Sequence, residues 1–202
     1  MTTNDGDDHL GGRLLLAEPD ALSEEQRSLY EHLESNQIPW ATRTGFQSTT
    51  SGGRLIGPFN PMLFSPGVGI GLLAFMEAEA ASTSLDEQTR QVVILVVGAV
   101  WQAGYELYAH SAEARAVGLG DDVIEALVAG EIPDALSEAE RAAARVAHQL
   151  TAERRIDNAT YAAARDAFGE RWLLDLVLLV GFYQTVCGLL NAFEIPVPNT
   201  SR

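Results

Sequence analysis

The sequence predicts an all-α protein of about six to eight helices, and three observations support this. Apolar residues recur at helical spacing through most of the chain after residue 64, residues that favour helix caps precede these segments, and strand signals are sparse. The chain has 202 residues, of which 47% are apolar and 20% charged, which is ordinary globular composition. We therefore expect a disordered tail over residues 1–18 and a single helical domain over residues 19–198.

The first third of the chain predicts one helix and one long connection. A helix is expected from Asp20, because apolar residues between Leu22 and Leu33 fall at helical spacing and Ser23 can cap it. Residues 36–64 are rich in Gly, Pro, Ser and Thr, which predicts an irregular connection over the surface. Loops of this length in compact domains are often binding elements.

The remaining two thirds predict helices almost throughout. Ser65 followed by Pro66 indicates a helix start, and this helix is expected to reach about Ala80. Ser84 is expected to cap the next helix, whose valines cover most of its circumference and predict a central position. Further helices are predicted over residues 105–117, ending at Gly118, and over residues 121–129, 137–152, 157–168 and 170–192, with Asp121 and Asp157 as caps.

The charge of the chain argues against two classes of partner. Thirteen Lys and Arg residues against 28 Asp and Glu residues give a net charge of −15, spread along the chain. A protein this acidic repels phosphate backbones and anionic lipid surfaces. We expect no nucleic acid and no membrane as a partner, and a small-molecule substrate instead.

Two further features bear on location and redox chemistry. Residues 172–193 are long and apolar, but they include Asp175, Gln184 and Asn191, which favours a buried helix over a membrane span. No basic segment followed by an apolar run occurs near the N-terminus, so we expect a cytoplasmic protein. Cys187 is the single cysteine and cannot form an internal disulfide, so we expect it to act as a small buried hydrophobic residue.

Glu106 and His110 form the candidate catalytic pair. Four residues apart on one helix, they are separated by about 40° around its axis, so both side chains reach the same space. The carboxylate can bind one imidazole nitrogen, which fixes the tautomer, raises the pKa of the histidine and leaves the other nitrogen to transfer a proton. The same spacing is common in solvated helix pairs, and spacing alone favours that interpretation.

The sequence disfavours a metal site at this pair. Glu-x-x-x-His supplies two ligands on one helix face, but no second motif of this kind and no HExxH occurs. His148 lies far downstream in a different predicted helix. We therefore expect no metal and no other cofactor.

The residues around the pair form an ordered series of motifs. An Arg-Gln dipeptide at 90–91 and a run of aliphatic residues precede Tyr-Glu-Leu-Tyr-Ala-His at 105–110, and a segment of small residues then ends in Gly118-Leu119. Gly-Pro-Phe-Asn at 57–60 lies before this core, and Gly-Phe-Tyr at 181–183 and Leu-Asn-Ala-Phe at 190–193 lie after it. The series resembles the carboxymuconolactone decarboxylase family over about residues 54–198. That family shows an R-E dipeptide with aliphatic residues, then Y-E-W-x-x-H, then a small-residue helix ending in A-x-x-x-G-L.

This resemblance implies an all-α fold of the alkyl hydroperoxidase D-like class. It also implies a homo-oligomer, as a dimer, trimer or hexamer, with sites near subunit contacts. One branch of the family reduces peroxides with a Cys-x-x-Cys pair placed before a His. Aligning that His with His110 puts Ala103 and Glu106 at the two cysteine positions, and neither residue can form a disulfide.

The resemblance therefore implies the other branch, cofactor-independent lactone decarboxylation, in which the Glu and His of the motif are retained. Two positions depart from the family pattern. Gln91 replaces the Glu of the R-E dipeptide, and Leu107 replaces the Trp of the middle motif. Gln91 can position a neighbour but cannot act as a base.

We expect a cofactor-independent acid–base enzyme, a lyase acting on a small carboxylated lactone or unsaturated carbonyl compound. His110 is predicted to transfer the proton and Glu106 to orient it. For Arg90, Tyr183 and Trp101 a structural role in the core is the alternative. The candidate substrate-binding residues are Tyr183, Asn191, Arg90, Asn60, Gln91 and Trp101.

Three other functions stay open at this point. The same pair could serve a dehydratase, isomerase or cyclase of a specialised biosynthetic pathway, because each needs one acid–base pair and an activated carbonyl. The missing carboxylate at Gln91 favours a non-catalytic oligomer that binds a small ligand. A redox role is opposed by the lone Cys187.

Overall fold

The computed structural model describes residues 7–198, and over this range the chain is all-α, which confirms the predicted fold class. Within it, the strand-like pairing is limited to an isolated bridge between Thr49 and Leu55. Two short 3-10 helices (Asp8–Gly11 and Pro19–Ala21) come first, and a π-helical turn (Gln149–Glu153) follows the seventh α-helix. The α-helices are α1 (Glu24–Thr44), α2 (Phe59–Met62), α3 (Pro66–Ser82), α4 (Glu87–Trp101), α5 (Gly104–Ala116), α6 (Asp121–Val128), α7 (Glu138–His148) and α8 (Asn158–Ala192).

The chain divides into two compact units, and a single domain over residues 19–198 stays a prediction. Unit 1 combines the residues up to Phe75 with those from Leu189 onward, and unit 2 runs from Met76 to Gly188. Unit 1 therefore contains α1, α2 and the first half of α3, and unit 2 contains α4 to α7 and most of α8.

Residues 7–18 are ordered in unit 1, so the prediction of a disordered tail is wrong for them. Leu10 and Leu16 are buried, and this burial gives the segment an apolar anchor. Arg54 binds Asp8 at 2.5 Å and Glu18 at 3.4 Å, so both ends of the segment are held by one guanidinium. Residues 1–6, the rest of the predicted tail, lie outside the described residues.

Asn60, on α2, binds the backbone of the same N-terminal segment, residues 7–18. Its side chain is fully buried; Oδ1 accepts a hydrogen bond from the Ala17 amide at 3.0 Å, and Nδ2 donates to the Leu15 carbonyl at 3.2 Å. Both polar ends of the amide are thus used by the backbone of unit 1. This arrangement favours a structural role for Asn60 over the predicted substrate-binding role.

Helix α1 begins at the predicted cap but ends later than predicted. Ser23 Oγ accepts from the Gln26 amide, and Gln26 Oε1 accepts from the Ser23 amide, which forms a capping box. The predicted connection from residue 36 starts too early, because burial of one helix face carries the helix past Pro39 to Thr44. The buried residues of that face are Leu29, Leu33, Gln37 and Ala41.

Helix α4 is the centre of unit 2. Every residue from Thr89 to Gly98 is buried, and the helix contacts α5, α6 and α7, as the valine-rich sequence predicts. Its cap is Asp86 rather than Ser84: Asp86 Oδ1 accepts from the Thr89 amide at 2.8 Å. Ser84 instead donates its amide and hydroxyl to Asp175 on α8, at 2.8 and 2.7 Å.

The other helix ends of unit 2 follow the sequence closely. Helix α5 stops before Gly118, which has a φ of +96°, and a φ of +88° at Gly169 breaks α8 where two helices were predicted to meet. Asp157 accepts from the Thr160 amide as the predicted cap. Asp121 differs from its prediction, because it is the first residue of α6 and Gly120 is the cap.

Helix α8 is long and apolar enough to cross a membrane, with a mean hydropathy of 1.9 in its most apolar window. Half of that window is buried inside the protein. This burial, together with the break at Gly169, is typical of the core helix of a globular protein.

Replacing Asn60 with Ala should destabilise unit 1. The change leaves the Ala17 amide and the Leu15 carbonyl without their buried partner, and each such loss costs about 1–3 kcal/mol. Urea unfolding should show this loss, whereas the control Asn36→Ala removes an exposed amide and should change the free energy of unfolding by less than about 0.5 kcal/mol. Equal stabilities for the two variants would contradict the assigned role of Asn60.

Candidate active site

Glu106 and His110 lie in the interior of unit 2, on the side of α5 that packs against α4. Glu106 is 3% exposed and His110 is 6% exposed. The two residues are therefore not the solvated helix pair that spacing alone favours. A buried carboxyl group and a buried imidazole need an explanation in terms of specific partners.

Gln91 on α4 is the partner of the imidazole. Its Oε1 lies 2.8 Å from His110 Nδ1, and both side chains are buried. An amide oxygen only accepts hydrogen bonds, so Nδ1 must carry a proton, and in the neutral ring Nε2 is then the unprotonated nitrogen. The residue that departs from the family pattern thus determines the tautomer of the histidine.

Glu106 faces the bare nitrogen. Its Oε1 lies 3.3 Å from His110 Nε2, and this atom has no hydrogen-bond partner of good geometry. Burial raises the pKa of Glu106 to about 8. Burial also lowers the pKa of His110 to about 3, with a further contribution from the positive charge of Arg90. At neutral pH the pair is therefore a protonated carboxyl group beside a neutral imidazole, and the predicted rise in the histidine pKa is wrong.

Gly98 allows the two helices to bring these groups together. A Cβ atom at this position would lie 3.0 Å from Leu107 Cδ2 and 3.6 Å from Glu106 Cγ. An added Cβ at position 98 would therefore require the Leu107 side chain to shift by a few tenths of an ångström beside Glu106. Leu107, whose side chain lies nearest to Gly98, stands where the carboxymuconolactone decarboxylase motif has Trp.

Tyr183 on α8 closes the site against His110. The two rings meet edge to face, with centroids 5.1 Å apart and an interplanar angle of 88°. Burial, and then the charge of Glu106, raise the pKa of the Tyr183 hydroxyl well above its usual range, so the group stays a neutral donor.

Cys187 lies one helical turn beyond Tyr183 and is fully buried. Burial, and next the charge of Glu106, raise the pKa of its thiol. A thiol that stays protonated is a poor nucleophile.

Arg90 forms a buried ion pair with Glu79 of α3. Arg90 Nη1 lies 2.5 Å from both carboxylate oxygens, and each of the two side chains is only 7% exposed. Glu87 adds a weaker contact at 3.8 Å. This pairing favours the structural alternative for Arg90 over substrate binding.

The structure brings together four of the eight predicted site residues: Gln91, Glu106, His110 and Tyr183. Trp101 ends α4, where its ring lies against Gly188. Asn60 and Asn191 belong to unit 1. Their substrate-binding roles stay predictions.

Sequence reasoning missed two residues that shape the site, Glu79 and Gly98. Glu79 carries no local signal, because its pairing with Arg90 depends on how α3 and α4 pack. The single glycine in an aliphatic helix was a usable signal of close helix packing at Gly98. Over residues 7–198, no group of three or more His, Cys, Asp and Glu side chains is placed to hold a metal ion.

The chain is similar to known proteins in both sequence and structure. Residues 66–149 match the model of the carboxymuconolactone decarboxylase family. No curated protein matches the chain.

Solved structures show the same fold at low sequence identity. An uncharacterized peroxidase-related protein from Ralstonia eutropha JMP134, with an alkylhydroperoxidase AhpD core, is 16% identical with a TM-score of 0.71, over 93% of this chain and 92% of that one. A peroxidase-related protein from Silicibacter sp. TM1040 is 18% identical with a TM-score of 0.70, over 94% and 93%. The debrominase Bmp8 in complex with 2,3,4-tribromopyrrole is 15% identical with a TM-score of 0.64, over 82% and 88%.

Nitrogen NMR of the histidine ring should show a neutral Nδ1–H tautomer for His110 at pH 7. In Gln91→Glu, a carboxylate would face Nδ1 and favour the protonated ring, so we expect an imidazolium signal at a pH where the wild type shows none. Gln102→Glu adds the same charge at an exposed position and should leave the His110 signals unchanged. A wild-type ring protonated at Nε2 would contradict the assignment.

The pH dependence of stability should carry the signature of Glu106. Its pKa is about 8 in the folded protein and about 4.5 in the unfolded chain, so the unfolded state loses the proton first and stability falls as pH rises from 4.5 to 8. The pKa of His110 is lowered on folding, so this residue makes stability rise with pH. That rise is complete once the pH passes 6.5, the pKa of the unfolded histidine. Between pH 6.5 and 8, wild type should lose about 2 kcal/mol relative to Glu106→Gln in urea unfolding. Parallel profiles would show that Glu106 is already ionised at pH 6.5.

Proposed function

Because residues 66–149 form a carboxymuconolactone decarboxylase family region within an AhpD-like fold, we propose that the protein is a cofactor-independent acid–base enzyme. Its substrate would be a small lactone or other unsaturated carbonyl compound, and its reaction that of a lyase. The observation that supports this most directly is the buried group formed by Glu106, His110 and Gln91. Groups with strongly shifted pKa values, held by specific partners, are typical of active sites.

The geometry favours a reversal of the predicted roles within the pair. Glu106 carries a proton at neutral pH, so it is the group that can deliver one to carbon. Gln91 holds the His110 ring so that its unprotonated Nε2 points towards Glu106. This nitrogen orients the carboxyl group of Glu106. In this proposal Glu106 is the acid and His110 is its positioning residue.

The chemical step follows from these roles. Loss of carbon dioxide from a lactone acid leaves the electron pair of the broken C–C bond delocalised as a dienolate. The Tyr183 hydroxyl would donate a hydrogen bond to the dienolate oxygen, and Glu106 would transfer its proton to carbon. The carboxylate that remains takes a proton from solvent and restores the resting pair. Dehydration, double-bond migration or ring closure would use the same acid on a related intermediate.

Two other functions receive less support. Thiol-based peroxide reduction would need a reactive cysteine pair, but Ala103 and Glu106 occupy the corresponding positions and the Cys187 thiol is buried. A non-catalytic ligand-binding role is favoured by Gln91, because it replaces a carboxylate. A ligand-binding role alone does not explain why a carboxyl group with a pKa raised to about 8 is buried at this position.

The proposal extends to partners and location. A homo-oligomer is supported by the apolar side chains exposed at the start of α3, among them Phe64 at 54% and Val68 at 71%. We propose a small-molecule substrate without nucleic acid or membrane partners, and a cytoplasmic location, in keeping with the net charge of −15.

Deuterium incorporation into a probe lactone tests the proposed acid. α-Angelica lactone forms a dienolate when a base removes a proton from its ring carbon, which is the reverse of the proposed transfer. Its exchange can be followed by NMR in D2O at about pH 8 and above, where ionised Glu106 can accept that proton, without knowledge of the natural substrate. Wild-type protein should accelerate exchange or double-bond migration, and Glu106→Gln should slow it by about 10²–10⁴-fold, the usual contribution of general acid–base catalysis. His110→Ala should lower the rate as well, because the carboxyl group loses its positioning partner.

Matched controls make this result interpretable. Glu125→Gln removes an exposed carboxyl group, and His9→Ala removes an exposed imidazole, so both should keep the wild-type rate. Circular dichroism confirms folding of each variant. Undiminished exchange by folded Glu106→Gln would refute the proposed function.

A further inference from the structure

We infer that Glu79 is a positioning residue of the acid–base pair: by cancelling the charge of Arg90, it lets Glu106 keep its proton at neutral pH. The inference rests on the proposed function and adds a residue to it. It is carried by the buried ion pair between α3 and α4 and by the place of that ion pair beside His110.

The ion pair lies next to the contact that holds the imidazole. Both carboxylate oxygens of Glu79 lie 2.5 Å from Arg90 Nη1, and each of the two side chains is only 7% exposed. Gln91, the next residue of α4, has its Oε1 2.8 Å from His110 Nδ1. The other nitrogen of that ring, Nε2, lies 3.3 Å from Glu106 Oε1. These contacts link α3, α4 and α5 in the interior of unit 2.

The charge of Arg90 reaches the pair. After burial, it is the second cause that lowers the pKa of His110. Burial opposes the charge of Arg90 itself, but the hydrogen bond and the charge of Glu79 raise the pKa of Arg90 above its usual range. A positive charge that disfavours protonation of the imidazole also favours loss of the proton from the carboxyl group beside it. Arg90 without a counter-charge would therefore draw Glu106 towards its ionised form.

Glu79 is the acid that supplies this counter-charge. Glu87 also approaches Arg90, but at 3.8 Å and with a side chain that is 66% exposed, so solvent weakens its effect. Glu79 is as buried as Arg90, and charges interact most strongly where water is excluded. The pKa of the Tyr183 hydroxyl is raised mainly by burial; there the charge of Arg90 acts to lower it and that of Glu79 to raise it. The two charges thus oppose each other at the site.

The other groups close to Glu106 supply no positive charge. The charge of Glu106 acts on Tyr105 of α5 and on Tyr183 and Cys187 of α8. Burial raises the pKa of each of these groups, so all three stay uncharged at neutral pH. Glu113, one turn beyond His110 on α5, acts on Tyr183 as a negative charge.

Helices α6 and α7, which also pack against α4, keep their cations away from the pair. Helix α6 contains no basic residue. On α7, Arg145 is exposed, Arg141 donates to a backbone carbonyl at the surface, and His148 ends the helix partly exposed. The buried acid of α7, Glu140, accepts from the Ser137 amide at 2.7 Å. Arg90 is therefore the cation whose charge must be cancelled.

Titration of Glu106 by NMR tests this inference without substrate or turnover. Glutamate labelled with 13C at the side-chain carboxyl reports the pH midpoint of Glu106, and Glu106→Gln identifies its signal. The wild-type midpoint should lie at about 8. Glu79→Gln leaves the charge of Arg90 uncancelled and should lower the midpoint by about one pH unit or more. Glu125→Gln removes an exposed carboxyl group from α6 and should leave the midpoint unchanged.

The double variant Glu79→Gln/Arg90→Gln separates this role from a structural one. It removes both charges and leaves neither buried without a partner, so it should fold more readily than Glu79→Gln. Its midpoint should return to the wild-type value or rise above it. An ion pair that only stabilises the fold would change the free energy of unfolding and leave the midpoint at about 8 in every folded variant. Sucrose favours the folded state and is present in all titrations.

An unshifted midpoint in folded Glu79→Gln would overturn the inference. A midpoint of the double variant about one pH unit or more below that of the wild type would overturn it too, whether or not Glu79→Gln folds. Neither result touches the proposed function, because the deuterium exchange of α-angelica lactone tests that separately. Undiminished exchange by Glu106→Gln would instead remove the catalytic role of the pair and leave the effect of Glu79 on its proton standing.

Discussion

The hydrogen bond between Gln91 and His110 is the interaction on which the candidate site depends. It joins α4 to α5 between two buried side chains and places a proton on Nδ1 of the imidazole. Gln91 places a proton on Nδ1, and burial keeps the ring neutral, so Nε2 stays unprotonated and faces a carboxyl group that burial keeps protonated. One amide oxygen thus determines the tautomer of the histidine, although it belongs to a residue without acid–base chemistry of its own.

Two consecutive residues of α4 contact the ionisable groups on either side of this helix. Arg90 reaches Glu79 on α3, and Gln91 reaches His110 on α5. The first contact cancels a buried positive charge, and the second gives the Nδ1–H of a buried imidazole its hydrogen-bond acceptor. The interior of unit 2 therefore carries little net charge around the pair, which reconciles several ionisable side chains with deep burial.

The fold was predictable because it depends on local signals. The cap at Ser23 and the glycines at 118 and 169, which adopt positive φ, are recognisable in sequence, and burial of α4 follows from its valines. The pair itself was predictable from four-residue spacing and the family motif. Its protonation was not, because spacing fixes proximity but not burial, and desolvation reverses the expected direction of the histidine pKa. Glu79 escaped prediction because a pairing between helices exists only in the folded chain.

The close approach of α4 and α5 at Gly98 leaves both members of the pair more than nine-tenths covered. Groups covered to this degree exchange protons with solvent only when neighbouring side chains or helices move apart. Proton exchange at the site therefore depends on such openings as well as on the strength of the acid. An enzyme built in this way would be controlled by how often its interior opens, and a residue larger than glycine at position 98 would alter that frequency without touching any reacting atom.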